Sequence, residues 1–202
     1  MDSRGHPFIA VAGSIATGKS GLVKRLATAL DAVPLFEDVT QNPYFDLVSV
    51  DPKRWSFHSQ VAFTADSLSR HIRSIDAGPA VQDRTVYETV DVFARLLTQI
   101  GYLSTIDYAT LSEFEKCAAH LPRQPTRLIY LHAPAPVLLE RIKARDRTAE
   151  RHLDSAYLTR LGHFYEKFID RWRRCPVLRI DTTKRDLRTP DALQGLLEEL
   201  AA

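Results

Sequence analysis

The stretch GSIATGKS, from Gly13 to Ser20, limits the possible folds more than any other part of the sequence. It matches the pattern G-x-x-x-x-G-K-[ST], which forms a phosphate-binding loop when a strand precedes it and a helix follows it. The apolar run 8–12 predicts the strand, and leucines at helical spacing within residues 22–30 predict the helix. The chain is therefore expected to bind a nucleoside triphosphate at the end of the first strand of a sheet.

The chemistry of this loop follows from its residue types. The glycines let the backbone fold tightly, so that successive N–H groups and the helix amino terminus point at phosphate oxygens. Lys19 is expected to reach the β- and γ-phosphates, and the Ser20 hydroxyl is expected to ligate Mg²⁺. The predicted nucleotide contacts in the loop are Gly13, Ser14, Ala16, Thr17, Gly18, Lys19 and Ser20. The motif predicts triphosphate binding without fixing the reaction.

Short apolar runs alternate with longer helical stretches along the chain. This order predicts an α/β fold of the P-loop kinase type, a doubly wound parallel sheet of five strands with helices on both faces. The apolar runs lack polar alternation, as expected for strands that are covered on both sides. The predicted strands are 8–12, 33–36, 80–82, 128–132 and 177–180. The predicted helices are 18–30, 53–75, 86–100, 103–120, 134–145, 153–171 and 190–200. No linker divides the sequence, so residues 1–202 are predicted to form one domain.

The overall composition excludes some classes of partner. The 202 residues carry a net charge of +2, with 45% hydrophobic and 26% charged residues, the balance of an ordinary globular protein. This charge gives no reason to expect a nucleic-acid partner, and no apolar run approaches the length of a membrane span. Cys117 and Cys175 fit neither a disulfide framework nor a metal-ligand spacing. Because the amino terminus also lacks the apolar core of a signal peptide, we expect a cytoplasmic protein with no nucleic-acid or membrane partner.

Further polar segments follow the predicted strands. They are Glu37-Asp38 with Asn42-Pro43-Tyr44, the stretch from Asp51 to Gln60, Asp83-Arg84-Thr85-Val86-Tyr87-Glu88, and residues 140–150. In order and spacing these segments resemble the deoxyribonucleoside kinase family, especially its bacterial deoxyadenosine/deoxyguanosine kinase branch. The resemblance extends from the phosphate-binding loop to the end of the fifth strand. It implies transfer of the γ-phosphoryl group of ATP, with Mg²⁺, to the 5′-hydroxyl of a deoxynucleoside in nucleotide salvage, by a homodimer.

The resemblance assigns catalytic roles to particular residues. Glu37 matches the family's general base on the sugar 5′-hydroxyl. Asp83 matches an acidic residue near the magnesium, and Arg84 an arginine close to the catalytic carboxylate. Arg145 and Arg147 match two lid arginines that close over the γ-phosphate. Without the resemblance, Glu37 is more simply a surface carboxylate, Asp83-Arg84 a structural ion pair, and the arginine run a solvated helix face.

The resemblance also assigns substrate contacts, and it places a lid at about residues 141–152. Gln60 matches a glutamine whose amide pairs with the edge of the base. Phe93 is expected to stack on the base, with Phe63 as a second candidate, although an aromatic residue at helical spacing more often belongs to the core. Glu150 matches a glutamate that holds the sugar 3′-hydroxyl. The stretch that begins at Asp181 and ends at Arg188 matches the loop around the adenine of ATP.

Three departures from the family pattern concern the acceptor side. Ser49 stands where the family has a tyrosine that contacts the 3′-hydroxyl, and we predict it as the substitute contact. Asp38 stands where the family has proline, beside Glu37, and close carboxylates raise one another's pKa. Ser67 and Thr89 stand at two positions that help family members select a base, where purine-selective members more often carry charged residues. The preferred base is left open.

Two other functions stay open at this point. A nucleoside monophosphate kinase has a similar fold and lid, but it needs arginines for the acceptor phosphate, which Glu37 would repel. The departures at Ser49 and Asp38 leave open a non-catalytic nucleotide-binding protein derived from a kinase, against an otherwise intact set of catalytic groups. If the chain forms a homodimer, we expect the apolar faces of the predicted helices 53–75 and 86–100 to contribute to the contact.

Overall fold

Five parallel strands form one sheet in the computed structural model, which describes residues 6–147, 150–151 and 153–201. The strands are β1 (Phe8–Gly13), β2 (Val33–Leu35), β3 (Ala80–Asp83), β4 (Arg127–His132) and β5 (Val177–Asp181), in the order β2-β3-β1-β4-β5. β1 pairs with β3 on one side and with β4 on the other. The connections therefore diverge at β1, which places a crevice at its carboxyl end. The predicted α/β fold is confirmed.

Helices cover both faces of the sheet. They are α1 (Lys19–Ala29), α2 (Phe45–Val50), α3 (Pro52–Ser74), α4 (Val86–Glu88), α5 (Arg95–Gln99), α6 (Thr105–Ala119), α7 (Ala135–Arg145), α8 (Ser155–Arg171) and α9 (Pro190–Ala201). Side chains alternate along β1, so Ile9 and Val11 pack with α1 and α9, whereas Ala10 and Ala12 pack with α8 and residues 86–96. Among the described residues, no helix is both long enough and apolar enough to cross a membrane.

Three elements differ from the sequence-based expectation. The run 33–36 forms an edge strand rather than a buried one, because β2 lies at the end of the sheet and Val33 is 42% exposed. The predicted helix 86–100 changes its winding, because a π-helical segment (Thr89–Ala94) separates α4 from α5. The helix α2 is not predicted, because its six residues are too few to establish a helical period.

The buried face of α3 is polar. Its buried side chains are Ser56, Ser59, Gln60, Thr64, Ser67, Arg70, His71 and Ser74. Apolar side chains of the neighbouring helical stretch, Val90, Ala94 and Leu97, form a buried cluster with Leu111 of α6 inside the same chain. These side chains are therefore not available for the contact between copies that the sequence predicts through residues 86–100.

Candidate active site

The phosphate-binding loop joins β1 to α1 at the carboxyl edge of the sheet. Gly13 has a φ of 146° and Gly18 a φ of 93°, in a range that L side chains rarely adopt. A Cβ atom at Gly13 would also collide with the Leu131 carbonyl oxygen of the neighbouring strand. The Thr17 hydroxyl closes the turn by donating to the Ser14 carbonyl at 2.9 Å. The loop therefore has the tight curvature that the motif requires.

The Lys19 ammonium lies inside this loop, where it donates to the Ser14 carbonyl at 2.9 Å. The pKa of Lys19 falls from its ordinary value of 10.5 to about 8, mainly through burial and secondly through the Arg84 guanidinium. The carboxylates of Asp83 and Glu88 oppose this decrease. A bound phosphate group would add negative charge and favour the charged form of the lysine. Lys19 is therefore a buried cation whose surroundings favour an anionic ligand.

Ser20 and Asp83 meet beside the loop. Ser20 Oγ donates to Asp83 Oδ2 at 2.5 Å, which joins the first turn of α1 to the end of β3. Asp83 Oδ1 is buried and has no hydrogen-bond partner among the described residues. A hydroxyl and a carboxylate with a spare oxygen fit Mg²⁺, which uses one or two protein ligands and fills its shell with water and phosphate oxygens. The part of the chain that the structure describes holds no cluster of three or more His, Cys, Asp or Glu residues arranged for a metal.

Glu37 and Arg84 face each other beyond the ends of β2 and β3. Arg84 Nε lies 3.5 Å from Glu37 Oε2, and both side chains are almost buried. The Arg84 guanidinium also lies over the Phe93 ring, 4.4 Å from its centroid. Burial by itself lowers the pKa of Arg84. Glu37, and to a smaller extent Tyr165 and Glu88, outweigh this effect together and raise the pKa well above its ordinary value. The guanidinium is therefore permanently charged where it meets the Glu37 carboxylate.

Asp38 does not join this pair, although it follows Glu37 in the sequence. Asp38 Oδ1 accepts hydrogen bonds from Thr40 N at 3.0 Å and from Thr40 Oγ1 at 2.6 Å, and Asp38 Oδ2 faces Gln41 Nε2. These hydrogen bonds lower the pKa of Asp38. The carboxylate stabilises a 3₁₀ turn (Val39–Gln41), so the interacting carboxylate pair that the sequence suggests does not form.

A cavity of about 810 Å³ opens beside the Glu37–Arg84 pair. It brings together the predicted substrate residues Glu37, Gln60, Arg84, Phe93 and Glu150, and it also includes Phe63, Thr89 and the lid arginines Arg145 and Arg147. Gln60 is buried, and its Oε1 has no hydrogen-bond partner within the described part of the chain. The cavity thus combines a carboxylate, an amide and aromatic surface, which is what recognition of a sugar and a base requires. We call it the acceptor cavity.

Two predicted positions lie outside the acceptor cavity. Ser49 is exposed on α2, and its hydroxyl donates to the Asp46 carbonyl at 2.6 Å, because the helix turns this residue outward. The structure therefore does not bring Ser49 to a sugar-binding position. Ser67 is fully buried and is not a lining residue, whereas Thr89 lines the cavity and donates its hydroxyl to the Thr85 carbonyl at 3.1 Å.

The arginine-rich segment begins at the end of α7. Asp146 ends the helix with a left-handed φ of 47°, and its carboxylate accepts two hydrogen bonds from Arg151. Glu150 faces both predicted lid arginines: its Oε2 lies 2.5 Å from Arg145 Nη2, and its Oε1 lies 3.8 Å from Arg147 Nη1. Residues 148, 149 and 152 of the predicted lid lie outside the described residues. The arginines are thus gathered at the cavity by one carboxylate.

A second cavity of about 700 Å³ lies on the other side of the loop and is lined by residues 16–18 and 182–188. Arg141 also lines this cavity and donates to Thr182 Oγ1 at 2.8 Å. Asp181 is not a lining residue, because its carboxylate accepts hydrogen bonds from the backbone and hydroxyl of Thr183. The segment after β5 therefore borders the phosphate-binding loop as expected, beginning at Thr182. We call this space the donor cavity.

Glu88 is a buried site residue to which the sequence motifs assign no role. Its Oε2 accepts hydrogen bonds from Gly13 N at 3.3 Å and from the Tyr165 hydroxyl at 2.8 Å, and its Oε1 accepts one from Thr85 N at 2.9 Å. Burial raises the pKa of Glu88, and the cations Arg84 and Lys19 oppose the increase. The sequence signal at Glu88 is the T-x-x-E capping box, which predicts that a helix starts there but does not predict a contact with the phosphate-binding loop.

The chain is similar to deoxynucleoside kinases along most of its length. The sequence profile described as deoxynucleoside kinase matches residues 9–199. A deoxyadenosine/deoxycytidine kinase from Bacillus subtilis (strain 168) is 32% identical over 201 residues, which cover 98% of this chain and 93% of that relative. A deoxyadenosine kinase from Dictyostelium discoideum is 34% identical over 175 residues, covering 86% of this chain and 71% of the relative. The structure of deoxyadenosine kinase from M. mycoides with bound dATP matches at a TM-score of 0.81 and 22% identity, over 96% of this chain and 100% of that chain, and supports the fold.

Proposed function

The chain belongs to the deoxynucleoside kinase family, and we propose that it transfers the γ-phosphoryl group of ATP to the 5′-hydroxyl of a deoxynucleoside. The observation that carries this proposal is the Glu37–Arg84 pair, 3.5 Å apart, in the acceptor cavity beside the phosphate-binding loop. Residues of the loop line both cavities, so a γ-phosphate held by the loop lies between its donor and its acceptor.

In the proposed reaction the Glu37 carboxylate accepts the proton of the 5′-hydroxyl while that oxygen bonds to the γ-phosphorus. The bond between the γ-phosphorus and the β,γ-bridging oxygen breaks, and ADP leaves. Arg84 keeps the carboxylate oriented, and Lys19 neutralises charge on the phosphates. Little covalent chemistry is required of the protein, because catalysis of this kind consists mostly of positioning and charge stabilisation.

The lid arginines and the metal ligands complete the donor side. Arg145 and Arg147 contact Glu150 in this structure, and we propose that they turn to the γ-phosphate when ATP binds, which frees Glu150 for the sugar 3′-hydroxyl. Ser20 and Asp83 fit Mg²⁺, since one buried Asp83 oxygen lacks a partner in the described part of the chain. When bound, the ion would supply positive charge to the β- and γ-phosphate oxygens.

On the acceptor side we propose deoxyadenosine as the first substrate to test and deoxycytidine as the second. Two relatives at 32% and 34% identity carry deoxyadenosine in their names, and one of them carries deoxycytidine as well. The Gln60 amide offers a donor and an acceptor to either base. One face of Phe93 is occupied by the Arg84 guanidinium, so a base that stacks on this ring must use the other face.

The charges in the acceptor cavity disfavour a nucleoside monophosphate as the acceptor. Its lining arginines are Arg84, which pairs with Glu37, and Arg145 and Arg147, which are assigned to the γ-phosphate in the proposed reaction. An acceptor phosphate needs an arginine of its own and would be repelled by Glu37. The arrangement therefore favours a neutral hydroxyl acceptor.

An acceptor panel tests the proposal directly. The purified chain is incubated with ATP, Mg²⁺ and each of deoxyadenosine, deoxycytidine, deoxyguanosine, thymidine and deoxyadenylate, and the nucleotide products are separated by chromatography. We expect deoxyadenosine to become deoxyadenylate, and deoxyadenylate itself to stay unchanged. Conversion of deoxyadenylate alone would establish a monophosphate kinase. No product from any acceptor, with ATP binding intact, would establish a non-catalytic nucleotide-binding protein.

We also propose that the chain forms a homodimer. The outward side of α6 carries two large exposed apolar side chains, Ile106 at 77% and Phe114 at 36% exposure. Because Val90, Ala94 and Leu97 are buried inside the chain, we propose this surface in place of the one expected through residues 86–100. Light scattering after size exclusion should give a mass of two chains for the natural protein and of one chain for Ile106→Glu. A monomeric natural protein would refute the proposal.

A further inference from the structure

Arg70 is a buried arginine whose side chain lies outside both cavities. It belongs to α3, its side chain is 1% exposed, and its Nε pairs with Asp66 Oδ2 at 2.8 Å. Its Nη1 donates to three backbone carbonyls: those of Leu35 at 3.5 Å, Arg84 at 3.3 Å and Asp83. A buried guanidinium is expensive to desolvate, and here Nη1 is directed at the main chain rather than at a ligand.

The three carbonyls share one position in the fold. Leu35 ends β2 two residues before Glu37, and Asp83 ends β3 immediately before Arg84. Arg70 therefore joins the carboxyl ends of two neighbouring strands at the point where the proposed base and its arginine partner leave the sheet. The distance between these strand ends determines how Glu37 and Arg84 face each other.

The backbone at Arg84 needs such support. Arg84 has a φ of 61°, the left-handed conformation that non-glycine residues rarely adopt. Its N–H donates to the Val11 carbonyl at 3.0 Å, and its own carbonyl accepts from Gln82 Nε2 at 2.9 Å as well as from Arg70. A strained backbone conformation persists only when several contacts from the surrounding structure hold it in place. Relaxation of this turn would move the guanidinium away from Glu37 and from Phe93.

We propose that Arg70 is a positioning residue for phosphoryl transfer, which acts by fixing the ends of β2 and β3 so that Arg84 stays opposed to Glu37. The inference rests on the proposed function in one respect, namely that Glu37 and Arg84 are the reacting pair. The contacts of Arg70 with the strand ends are independent of that function. Since Arg70 touches neither cavity, it is expected to affect turnover without affecting the affinity for ATP.

Arg123 provides a matched control at the opposite edge of the sheet. It is also fully buried, and its guanidinium donates to the carbonyls of Pro7 at 3.0 Å, Gly78 at 2.6 Å and Ser74. Pro7 precedes β1, Gly78 precedes β3, and Ser74 ends α3. They lie at the opposite end of the strands from the proposed reacting pair. Arg70→Lys and Arg123→Lys therefore remove comparable buried hydrogen bonds, but only the first removes them beside Glu37 and Arg84.

The test compares kcat, KM, ATP affinity and unfolding of the two lysine variants. Both should unfold at lower urea concentration than the natural protein. Arg70→Lys should also lower kcat with deoxyadenosine by roughly 10- to 100-fold at unchanged ATP affinity, the scale expected when a catalytic group moves by about 1 Å. Arg123→Lys should keep kcat within about twofold of the natural value, because it leaves the catalytic geometry intact. Equal kcat values for the two variants would overturn the inference.

A double-mutant cycle separates positioning from general loss of order. If Arg70 acts through Arg84, Arg70→Lys should have little further effect on kcat in an Arg84→Lys background, because mutations at coupled sites are not additive. If the effects of the two substitutions on kcat were fully additive, Arg70 would not act through Arg84. Should Arg70→Lys fail to fold, Asp66→Ala removes the carboxylate that orients the guanidinium. It should lower kcat several-fold, and an unchanged kcat would refute the inference.

Failure of the proposed function would look different. If Glu37→Gln retains full kinase activity, or the chain phosphorylates no nucleoside, the reacting pair is wrong and the function itself fails. If Glu37→Gln abolishes turnover while Arg70→Lys and Arg123→Lys behave alike, the function stands and only the role of Arg70 is lost.

Discussion

Replacement of Lys19 by methionine should make the protein more stable while it abolishes catalysis. Lys19 is buried in the phosphate-binding loop, and burial is the main reason why its pKa falls from 10.5 to about 8. The lowered pKa means that the folded protein disfavours the charged lysine that the unfolded chain accepts freely. Methionine fills a similar volume without the charge, so the folded state is relieved of that penalty.

The magnitude follows from the pKa. At 1.36 kcal/mol per pKa unit, a decrease from 10.5 to about 8 corresponds to a penalty of roughly 3 kcal/mol at neutral pH. The favourable contributions of Asp83 and Glu88 are already included in that pKa. The variant loses the hydrogen bond from Nζ to the Ser14 carbonyl, and this loss reduces the expected gain in stability by about 1 kcal/mol. We therefore expect Lys19→Met to raise the free energy of unfolding by about 2 kcal/mol.

The pH dependence has a definite sign. Below pH 8 the lysine is charged in both the folded and the unfolded state, so the full penalty applies. Between pH 8 and 10.5 the unfolded chain binds more protons than the folded one, and the stability of the natural protein rises with pH. The methionine variant lacks this contribution. Its advantage should therefore shrink as the pH rises from 8 toward 10.5.

Urea unfolding at pH 7 and pH 9.5, followed by the fluorescence of Trp55 and Trp172, measures both effects. Lys24→Met is the matched control, because Lys24 is exposed on the same helix, and it should leave stability unchanged at either pH. Lys19→Met should form no deoxyadenylate in the acceptor assay, since phosphate neutralisation is lost. A methionine variant less stable than the natural protein at pH 7 would refute the argument. An advantage that does not shrink at pH 9.5 would refute it as well.

Four further substitutions concern the acids of the site. Glu37→Gln should lower kcat by roughly 10²–10⁴ with little change in nucleoside affinity, as expected for loss of a general base. Asp38→Asn should retain most of the activity, because Asp38 serves a turn; the reverse order of effects would show that the base is misassigned. Asp83→Asn should raise the Mg²⁺ concentration needed for half-maximal rate, and an unchanged requirement would remove Asp83 from the metal site. Glu88→Gln should destabilise the fold by about 1–3 kcal/mol and weaken ATP binding, because an amide donor then faces Gly13 N–H or Thr85 N–H. A variant with the same urea midpoint and the same ATP affinity as the natural protein would contradict this.

Much of the site can be predicted from local patterns. The loop from Gly13 to Ser20 is recognisable because its chemistry depends on consecutive backbone groups, and the residues that permit this curvature are adjacent in the sequence. The structure brings Glu37, Gln60 and Arg84 together in one cavity, as the motifs suggest, because each lies in a motif that is anchored to a strand end or a helix start. The prediction fails for Ser49, because the sequence gives no sign that α2 turns that residue outward.

The sequence alone is enough to predict the nucleotide-binding loop, the alternation of strands and helices, and the groups available for phosphoryl transfer. These depend on residue type and short-range spacing. The sequence does not predict that Glu88 supports the loop or that Arg70 joins two strand ends, and these contacts are seen only in the folded chain. Each of these contacts links segments that are far apart in the chain. The side chains meet because parallel strand pairing brings their ends to one edge, and no local pattern encodes which partner a buried charge will find there.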